Sequence, residues 1–197
     1  MNEVRAFLAA ELPADARSCL ARTIDALREA ESPDVRWSDP STLHLTLKFC
    51  GDVSRERVDE LIERCAPRVR AVQPFDVAIT GLGVFTNARQ AQVIWAGITS
   101  GAGELARLAR KLDSACARLG VERERRPYQP HLTLGRLREP RHVAIERLAA
   151  PSGIAFRVED VVCFQSRLSP RGAQHVPLAR LPLGAAGDFD LAPDIDM

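Results

Sequence analysis

The sequence predicts an α+β fold built in two halves of similar plan, each with a mainly antiparallel sheet. The tetrapeptide His44–Leu47 returns unchanged as His131–Leu134, a little under half of the chain later, and such internal similarity indicates a repeated structural unit. The predicted strands are not joined by regular crossover helices, which favours antiparallel over parallel pairing. Two lobes of this kind would face each other and hold the repeated strands across a cleft.

Length and composition limit the class of protein. The chain has 197 residues, of which 46% are hydrophobic and 27% are charged, as is ordinary for a folded domain. A chain of this size buries roughly 70% of its unfolded surface, which is enough for a real core. The formal net charge of +1 argues against a protein that coats long nucleic acid. Any nucleic-acid substrate should therefore be an end or a short piece.

The cysteines and the N-terminal stretch indicate a reducing compartment. The five cysteines are an odd number and no two lie close in sequence, which predicts free thiols rather than disulfides or a thiolate zinc site. The apolar stretch 7–10 is too short for a signal peptide, and no segment reaches the length of a transmembrane helix. We therefore expect a cytoplasmic, monomeric protein with no membrane partner.

The first half of the chain shows the pattern of strand, helix, strand and helix. Residues 4–12 form a predicted strand, and Pro13 suits the first turn of the amphipathic helix that follows. Gly51 ends the strand that carries the first tetrapeptide. Ser54 is a suitable N-cap for the second helix, although Pro67 argues against a long continuous helix at that place.

The second half repeats this plan with more strands. Its predicted elements are strands at 75–79 and 92–98, a helix from 101–103 to Gly120, the second motif strand, a short helix at 143–148, a strand at 156–164, a turn at 166–172 and a last strand at 176–181. Residues 1–183 would form a single domain of two interleaved lobes. The tail 184–197 holds four aspartates and no basic residue, and we expect it to be disordered.

The two tetrapeptides place their polar side chains together. In each of them leucines alternate with a histidine and a threonine, which is the period of a strand with one apolar face. His44 and Thr46 should therefore project from one side of the first strand, and His131 and Thr133 from one side of the second. A lone histidine on a polar strand face is usually exposed or structural, but two identical copies favour one composite site.

Two histidines and two threonines suit acid–base chemistry at a phosphate. Imidazole titrates near neutral pH, so that one ring can act as the base and the other as the acid. In-line attack at phosphorus needs these two groups on opposite sides, and threonine hydroxyls can donate to the non-bridging oxygens. This chemistry requires no metal and no cofactor, and we expect neither.

Other chemistries fit the sequence less well. Catalytic zinc generally takes three protein ligands, whereas each tetrapeptide supplies one histidine and no acidic residue. Cys163, Ser166 and Ser169 are candidate nucleophiles, but none of them lies in a nucleophile-elbow pattern. The basic run Arg123–Arg126 is most simply a solvated surface. Phosphate binding is the alternative for this run, because it directly precedes the second motif strand.

The two tetrapeptides resemble the signature motifs of the two-histidine phosphoesterases. More of the chain is similar to one branch, the RNA 2',3'-cyclic phosphodiesterases, which are also called 2'-5' RNA ligases. The resemblance runs from about residue 5 to residue 183. Besides the motifs, the segments that carry it are Arg5–Ala9, Val35–Trp37, Leu43–Gly51, Gly83–Phe85, Val93–Gly97 and Pro130–Arg136.

The resemblance implies a bilobal α+β fold with pseudo-twofold symmetry. It also implies hydrolysis of a terminal 2',3'-cyclic phosphate to a 2'-phosphate, with RNA ends or small cyclic-phosphate nucleotides as substrates. His44 would be the proton donor and His131 the proton acceptor, while Thr46 and Thr133 would hold the phosphate.

Three positions outside the tetrapeptides qualify this interpretation. Arg136 matches a family position that reaches the phosphate, but strand alternation puts it on the leucine side. Its role therefore needs a bulge, which Gly135 would permit. His175 stands where an aromatic residue is common in the family, and Gln129 replaces what is often a basic residue. These departures leave the choice of substrate open.

Two alternatives to cyclic phosphodiesterase activity follow from the same sequence. One is a 2'-5' RNA ligase or 2'-5' phosphodiesterase, which would use the same fold and the same histidines. The other is a module that binds RNA ends without turnover. A pure binder has no need for two titratable groups, and this argues against the second alternative.

Overall fold

Nine strands form two antiparallel sheets with three α-helices in the computed structural model, which describes residues 3–30, 34–169 and 172–184. The predicted two-lobed α+β class is confirmed. The elements are β1 (Glu3–Glu11), α1 (Ala14–Ala30), β2 (Val35–Trp37), β3 (His44–Ser54), α2 (Arg55–Arg70), β4 (Phe75–Phe85), β5 (Ala91–Ser100), α3 (Ala102–Ala117), β6 (His131–Arg141), β7 (Ile154–Val158), β8 (Asp160–Ser169) and β9 (Gly172–Pro182). Short 3-10 turns lie at Pro40–Thr42 and Ile145–Arg147.

Each sheet contains strands from both halves of the chain. Sheet A has the order β3-β1-β8-β9, and sheet B has the order β2-β6-β5-β4-β7. The early strand β2 thus joins sheet B, while the late strands β8 and β9 join sheet A. The motif strands β3 and β6 belong to different sheets and contact each other, so the fold brings the two tetrapeptides to the junction of the sheets.

The leucines of the tetrapeptides determine which way the motif strands face. All four are buried in one continuous core, together with the apolar stripes of the three helices. Burying one leucine side chain contributes about 1.5–3 kcal/mol, so turning either strand over would be costly. The alternate side chains, the histidines and threonines, must therefore point to the opposite faces of the sheets.

Helix α2 continues through Pro67 to Arg70, although the sequence argued against a long helix there. Pro67 lies on the exposed side of the helix. The backbone hydrogen bond that proline removes is therefore lost where water can solvate the freed carbonyl. The predicted N-cap is confirmed, since Ser54 Oγ accepts a hydrogen bond from the amide of Arg57.

The single strand predicted at 156–164 was wrong, because this segment contains two strands in different sheets. β7 pairs with β4 in sheet B and ends at Val158, whereas β8 pairs with β1 and β9 in sheet A from Asp160 onward. Apolar residues continue on both sides of the break, so local pattern does not reveal it. The turn predicted at 166–172 is also mostly strand, since β8 extends to Ser169 and β9 begins at Gly172.

Three other predictions concern the cysteines, membrane-spanning helices and the C-terminal tail. All five cysteines are free thiols, as predicted. In the described ranges, no helix combines the length and the apolar character needed to cross a membrane. The predicted acidic tail lies, from residue 185 onward, outside the described residues.

Candidate active site

A bulge interrupts each motif strand at the same place. The pairing of β3 with β1 skips Leu47, and the pairing of β6 with β5 skips Leu134. A bulge shifts the alternation of the side chains beyond it by one position. The residue five positions after each histidine therefore returns to the histidine's face. These two residues are Phe49 and Arg136, and both are exposed. The bulge that a phosphate-binding role of Arg136 requires is thus present.

Both histidine rings make the same hydrogen bond to the backbone. Nδ1 of His44 lies 2.8 Å from the carbonyl oxygen of Thr42, and Nδ1 of His131 lies 2.8 Å from that of Gln129. Because a carbonyl oxygen can only accept, the Nδ1 atoms carry the protons. Neither Nε2 atom bonds to another described residue, so each neutral ring has one nitrogen free to take up a proton.

The segment that precedes each motif strand presents the carbonyl group to the histidine of that strand. Thr42 ends the 3-10 turn that begins at Pro40, and Asp39 caps this turn by accepting a hydrogen bond from the amide of Ser41 at 2.8 Å. Gln129 lies in the irregular segment Pro127–Pro130, which leads directly into β6. Each histidine is thus oriented from the segment that leads into its own strand, which explains why the two rings have equivalent hydrogen bonds.

His44 lies in an aromatic environment on the face of sheet A that points away from the main core. Its ring centroid is 4.8 Å from that of Phe7 and 4.9 Å from that of His175, whose ring is nearly perpendicular to it. Phe7 and Phe164 are part of a small separate buried cluster on this face. Desolvation among these rings lowers the pKa of His44 to about 4, and the hydrogen bond to the backbone offsets this only in part.

His131 has a different set of neighbours on sheet B. Its ring centroid lies 4.9 Å from that of Phe85, edge to face, and 6.2 Å from that of Trp95. Desolvation lowers the pKa of His131, and the positive charge of Arg136 lowers it further, while the hydrogen bond to the Gln129 carbonyl opposes both effects. The guanidinium group of Arg136 is therefore close enough to His131 to act on its charge.

The threonines have hydroxyl groups available for a ligand. Neither the Thr46 nor the Thr133 hydroxyl bonds to another described residue. Their backbone carbonyls, in contrast, join the lobes: Tyr128 Oη donates to the Thr46 carbonyl at 2.8 Å, and Ser38 Oγ donates to the Thr133 carbonyl at 2.8 Å. Each motif strand is thus held by a side chain that precedes the other motif strand.

The structure adds residues that the sequence analysis missed. Tyr128 and Ser38 were not singled out, because their role depends on which segments meet in space. Phe49 is the one large hydrophobic side chain that is exposed in the described part of the chain, with 57% of its surface accessible. The sequence contains one signal for it: Phe49 lies five residues after His44, just as Arg136 lies five residues after His131.

The alternative chemistries gain no support from the site. Cys163 is fully buried, and burial raises its pKa to about 12, which makes it a poor nucleophile. Among residues 3–30, 34–169 and 172–184, no three histidine, cysteine, aspartate or glutamate side chains are grouped to hold a metal ion. Metal independence itself stays a prediction.

Comparison with known proteins identifies the family. The sequence profile of the 2'-5' RNA ligase superfamily matches residues 14–169. This chain belongs to that superfamily. The RNA 2',3'-cyclic phosphodiesterase of Methanothermobacter thermautotrophicus is 35% identical over 177 residues, which cover 86% of this chain and 94% of the relative. The Escherichia coli protein of the same name is 31% identical over 185 residues, which cover 91% and 96%.

Solved structures of the superfamily have the same fold. The apo crystal structure of Escherichia coli LigT superposes with a TM-score of 0.77 at 26% identity, covering 94% of this chain and all of LigT. LigT in complex with 3'-AMP gives a TM-score of 0.76 at 28% identity, with 93% and 100% coverage. The resemblance found in the sequence is therefore confirmed over nearly the whole chain.

Proposed function

We propose that this superfamily member is an RNA 2',3'-cyclic phosphodiesterase that hydrolyses a terminal 2',3'-cyclic phosphate to a 2'-phosphate. The observation that carries the proposal is the pair of histidines on contacting strands, His44 and His131, each held at Nδ1 by a carbonyl and free at Nε2. The names of the relatives support the reaction class. The LigT complexes with 3'-AMP and with ATP support a nucleotide as ligand.

The reaction needs one proton removed and one delivered. Nε2 of His131 takes a proton from water as the water oxygen attacks phosphorus, and the bond from phosphorus to the 3'-oxygen breaks on the opposite side. Nε2 of His44 gives its proton to that leaving oxygen, which yields the 2'-phosphate and a free 3'-hydroxyl. Thr46 and Thr133 donate hydrogen bonds to the non-bridging oxygens, with the guanidinium group of Arg136 nearby.

The low pKa of His44 links catalysis to proton uptake. At neutral pH a ring with a pKa of about 4 is uncharged, so the acid must gain its proton when the substrate binds. The anionic phosphate provides the reason, since a negative charge beside an imidazole raises its pKa. A donor that is otherwise desolvated also releases its proton readily once the leaving oxygen becomes basic.

The same two histidines would also serve a second candidate reaction. Joining a 5'-hydroxyl to the cyclic phosphate would use the same acid and base, and the superfamily name keeps 2'-5' RNA ligation as the second candidate.

We also propose that the protein acts as a cytoplasmic monomer. Size-exclusion chromatography with light scattering would test the monomer, and cell fractionation would test the location.

One assay distinguishes the candidate reactions. A labelled RNA ending in a 2',3'-cyclic phosphate is incubated with the protein, with and without a second RNA bearing a 5'-hydroxyl, and the products are separated against 2'-phosphate and 3'-phosphate standards. A 2'-phosphate supports the proposal. A 3'-phosphate would reverse the assignment of the leaving oxygen, and a joined product would favour the ligase. Tight binding without any product would identify an end-binding module. A His44→Ala, His131→Ala double variant is the control.

A further inference from the structure

Two neighbouring grooves lie on the outer side of α2 and α3, and they differ in charge. The first, of about 580 Å³, has five cationic side chains and no carboxylate among its described lining residues. These cations are Arg68, Arg107, Arg110, Lys111 and Arg118. The second groove, of about 480 Å³, has Glu60 and Glu63 beside Arg64 and Arg68. The chain thus separates its charges locally, although its net charge is only +1.

Most of the cations in the first groove are not neutralised. Arg107 pairs with Glu104 at 2.7 Å, but the other four have no acidic partner in the described part of the chain. Residues 107, 110, 111 and 118 follow one face of α3. They span about 16 Å at 1.5 Å per residue, which corresponds to between four and five steps of a stacked nucleic-acid strand at about 3.4 Å each.

A basic segment runs from α3, the helix that carries most of the groove's cations, to the candidate active site. The connecting segment, residues 122–128, is fixed to α3 where the amide of Glu124 donates to Asp113 at 3.0 Å. At its other end Tyr128 donates to the carbonyl of Thr46 on β3 at 2.8 Å. The arginines of the segment therefore lie between α3 and the motif strands.

The charges of the connecting segment are partly free as well. Arg123 faces Asp113 at 3.6 Å and Arg125 pairs with Glu122 at 2.7 Å. Arg126 is exposed and has no acidic partner among the described residues. Arg126 is five positions before His131, so the unpaired charge nearest to the catalytic strand along the chain is on this segment.

We propose that the connecting segment and the cationic groove of α2 and α3 form one track that binds the phosphates of the RNA strand leading away from the cyclic end. The proposal rests on the proposed function, because it takes RNA as the substrate. The catalytic residues engage only the terminal phosphate, so the rest of the strand needs its own contacts. Arginine and lysine are the side chains that bind phosphates, and most protein contacts to a nucleic-acid backbone are of this kind.

The test compares RNA length with the position of a charge reversal. RNAs of two and of twelve nucleotides, labelled at the 5' end and ending in the product 2'-phosphate, are titrated by fluorescence anisotropy at several salt concentrations. The variants are Lys111→Glu in the groove, Arg126→Glu in the connecting segment and Arg64→Glu in the neighbouring mixed groove. Each changes the net charge by the same amount, so Arg64→Glu is the matched control.

We expect the wild type to bind the twelve-nucleotide RNA more tightly than the dinucleotide. Lys111→Glu and Arg126→Glu should each weaken binding of the longer RNA roughly tenfold, the loss expected for a charged hydrogen bond. Each should also reduce its salt dependence, by about 0.7 in the slope of log affinity against log salt. Dinucleotide affinity should be unchanged in Lys111→Glu, and Arg64→Glu should resemble the wild type with both RNAs.

Equal affinity of the wild type for the two RNA lengths would overturn the track. So would an equal loss in Arg64→Glu, because it would show that net charge alone matters. Turnover of a small 2',3'-cyclic mononucleotide is measured in parallel, and separates the two proposals. Turnover with length-independent binding keeps the enzyme and rejects the track. Length-dependent binding through Lys111 and Arg126, without turnover of either the mononucleotide or an RNA with a 2',3'-cyclic end, keeps the track and rejects the enzyme.

Discussion

The motif strands β3 and β6 have the same candidate catalytic residues in different surroundings. They share the tetrapeptide, the bulge at its last leucine, and the hydrogen bond from Nδ1 to a carbonyl. Even the burial of successive residues agrees from the histidine to the ninth position. The sequences of the two strands diverge from the fifth position onward.

Lys48 and Gly135, four positions after each histidine, show how the neighbours determine the residue. A side-chain carbon at Gly135 would lie 2.8 Å from atoms of Val35 and Trp37 on β2, so this inner strand requires glycine. The edge strand β3 has no such neighbour, and Lys48 is buried there with its ammonium group 2.9 Å from Asp113 of α3.

The next position, five residues after each histidine, differs in chemical character between the two strands. Phe49 extends the aromatic environment on the side of His44, with its ring centroid 5.9 Å from that of Phe7. On the other strand Arg136 places a positive charge near His131. A desolvated ring suits a proton donor beside a nucleoside, and a cation suits the side from which water approaches the phosphate. Equal sequence motifs can therefore carry unequal roles.

The largest expected effect tests that inequality directly. His44→Ala should slow hydrolysis of the cyclic phosphate by roughly 10²–10⁴-fold, because a sugar alkoxide needs a proton as it leaves. The same variant should lose much less on a nitrophenyl phosphodiester that the wild type cleaves, since nitrophenolate leaves without a proton. His131→Ala should be impaired on both substrates, because water still needs activation. The measurement is kcat/KM for each variant on each substrate.

Two outcomes would contradict this assignment. Rescue of His131→Ala rather than His44→Ala by the good leaving group would exchange the roles. If neither variant responds to the leaving group, the histidines bind phosphate but do not transfer protons. Circular dichroism and melting temperature of each variant serve as the control for folding.

Replacing either threonine should slow the reaction less than replacing a histidine, and by a similar factor at both positions. Thr46→Val and Thr133→Val keep the shape of the side chain and remove the hydroxyl, which makes no other hydrogen bond within the described residues. Each should lower kcat on the order of 10²-fold if it donates to developing negative charge. Thr→Ser variants at the same positions should retain most of the activity, and unchanged rates in both valine variants would exclude the role.

Part of this comparison could be predicted from the sequence, and the reason differs by residue. Period-two alternation predicted the common face of each histidine and threonine, because burial of the leucines leaves a strand no alternative. The need for a bulge before Arg136 could also be inferred from its parity. The face of Phe49 could not be inferred from alternation, since the bulge at Leu47 has no glycine beside it. Only the equal spacing of Phe49 from His44 and of Arg136 from His131 indicates it. Tyr128 and Ser38 depend on contacts between the lobes, which no local pattern contains.

Replacing Arg136 tests the role of the positive charge on β6, the motif strand of His131. Arg136→Gln should raise KM for the cyclic phosphate about tenfold, the loss expected for one charged hydrogen bond. It should also raise the pKa of His131, because the positive charge that lowers it is removed. Arg136→Lys is the matched control and should retain most of the pKa effect. NMR titration of the histidine rings measures the pKa, and an unchanged value in Arg136→Gln would place the guanidinium elsewhere.

Stability against acid should distinguish the two rings as well. The unfolded His44 ring titrates near 6.5, while the folded ring titrates at about 4. Between these values the unfolded chain binds more protons, so the free energy of unfolding falls as the pH drops. At 1.36 kcal/mol per pKa unit, and allowing for partial solvent access, His44 should account for a loss in the free energy of unfolding of the order of 1–2 kcal/mol as the pH drops. Urea unfolding at pH 7 and pH 4.5 measures it. His44→Phe should reduce the loss more than His131→Phe, and equal effects would contradict the different environments.

Metal removal should have no effect at all. Both Nδ1 atoms are occupied by carbonyl groups, so His44 and His131 together offer two nitrogen ligands, whereas catalytic zinc generally takes three protein ligands. Activity should survive dialysis against a strong chelator, with metal content followed by mass spectrometry. Complete loss that zinc restores would reject the acid–base account. Such a metal would also stabilise the leaving oxygen itself, and the leaving-group difference between His44→Ala and His131→Ala would disappear. A metal-dependent reaction would therefore show both activity restored by zinc and no leaving-group difference between the two histidine variants.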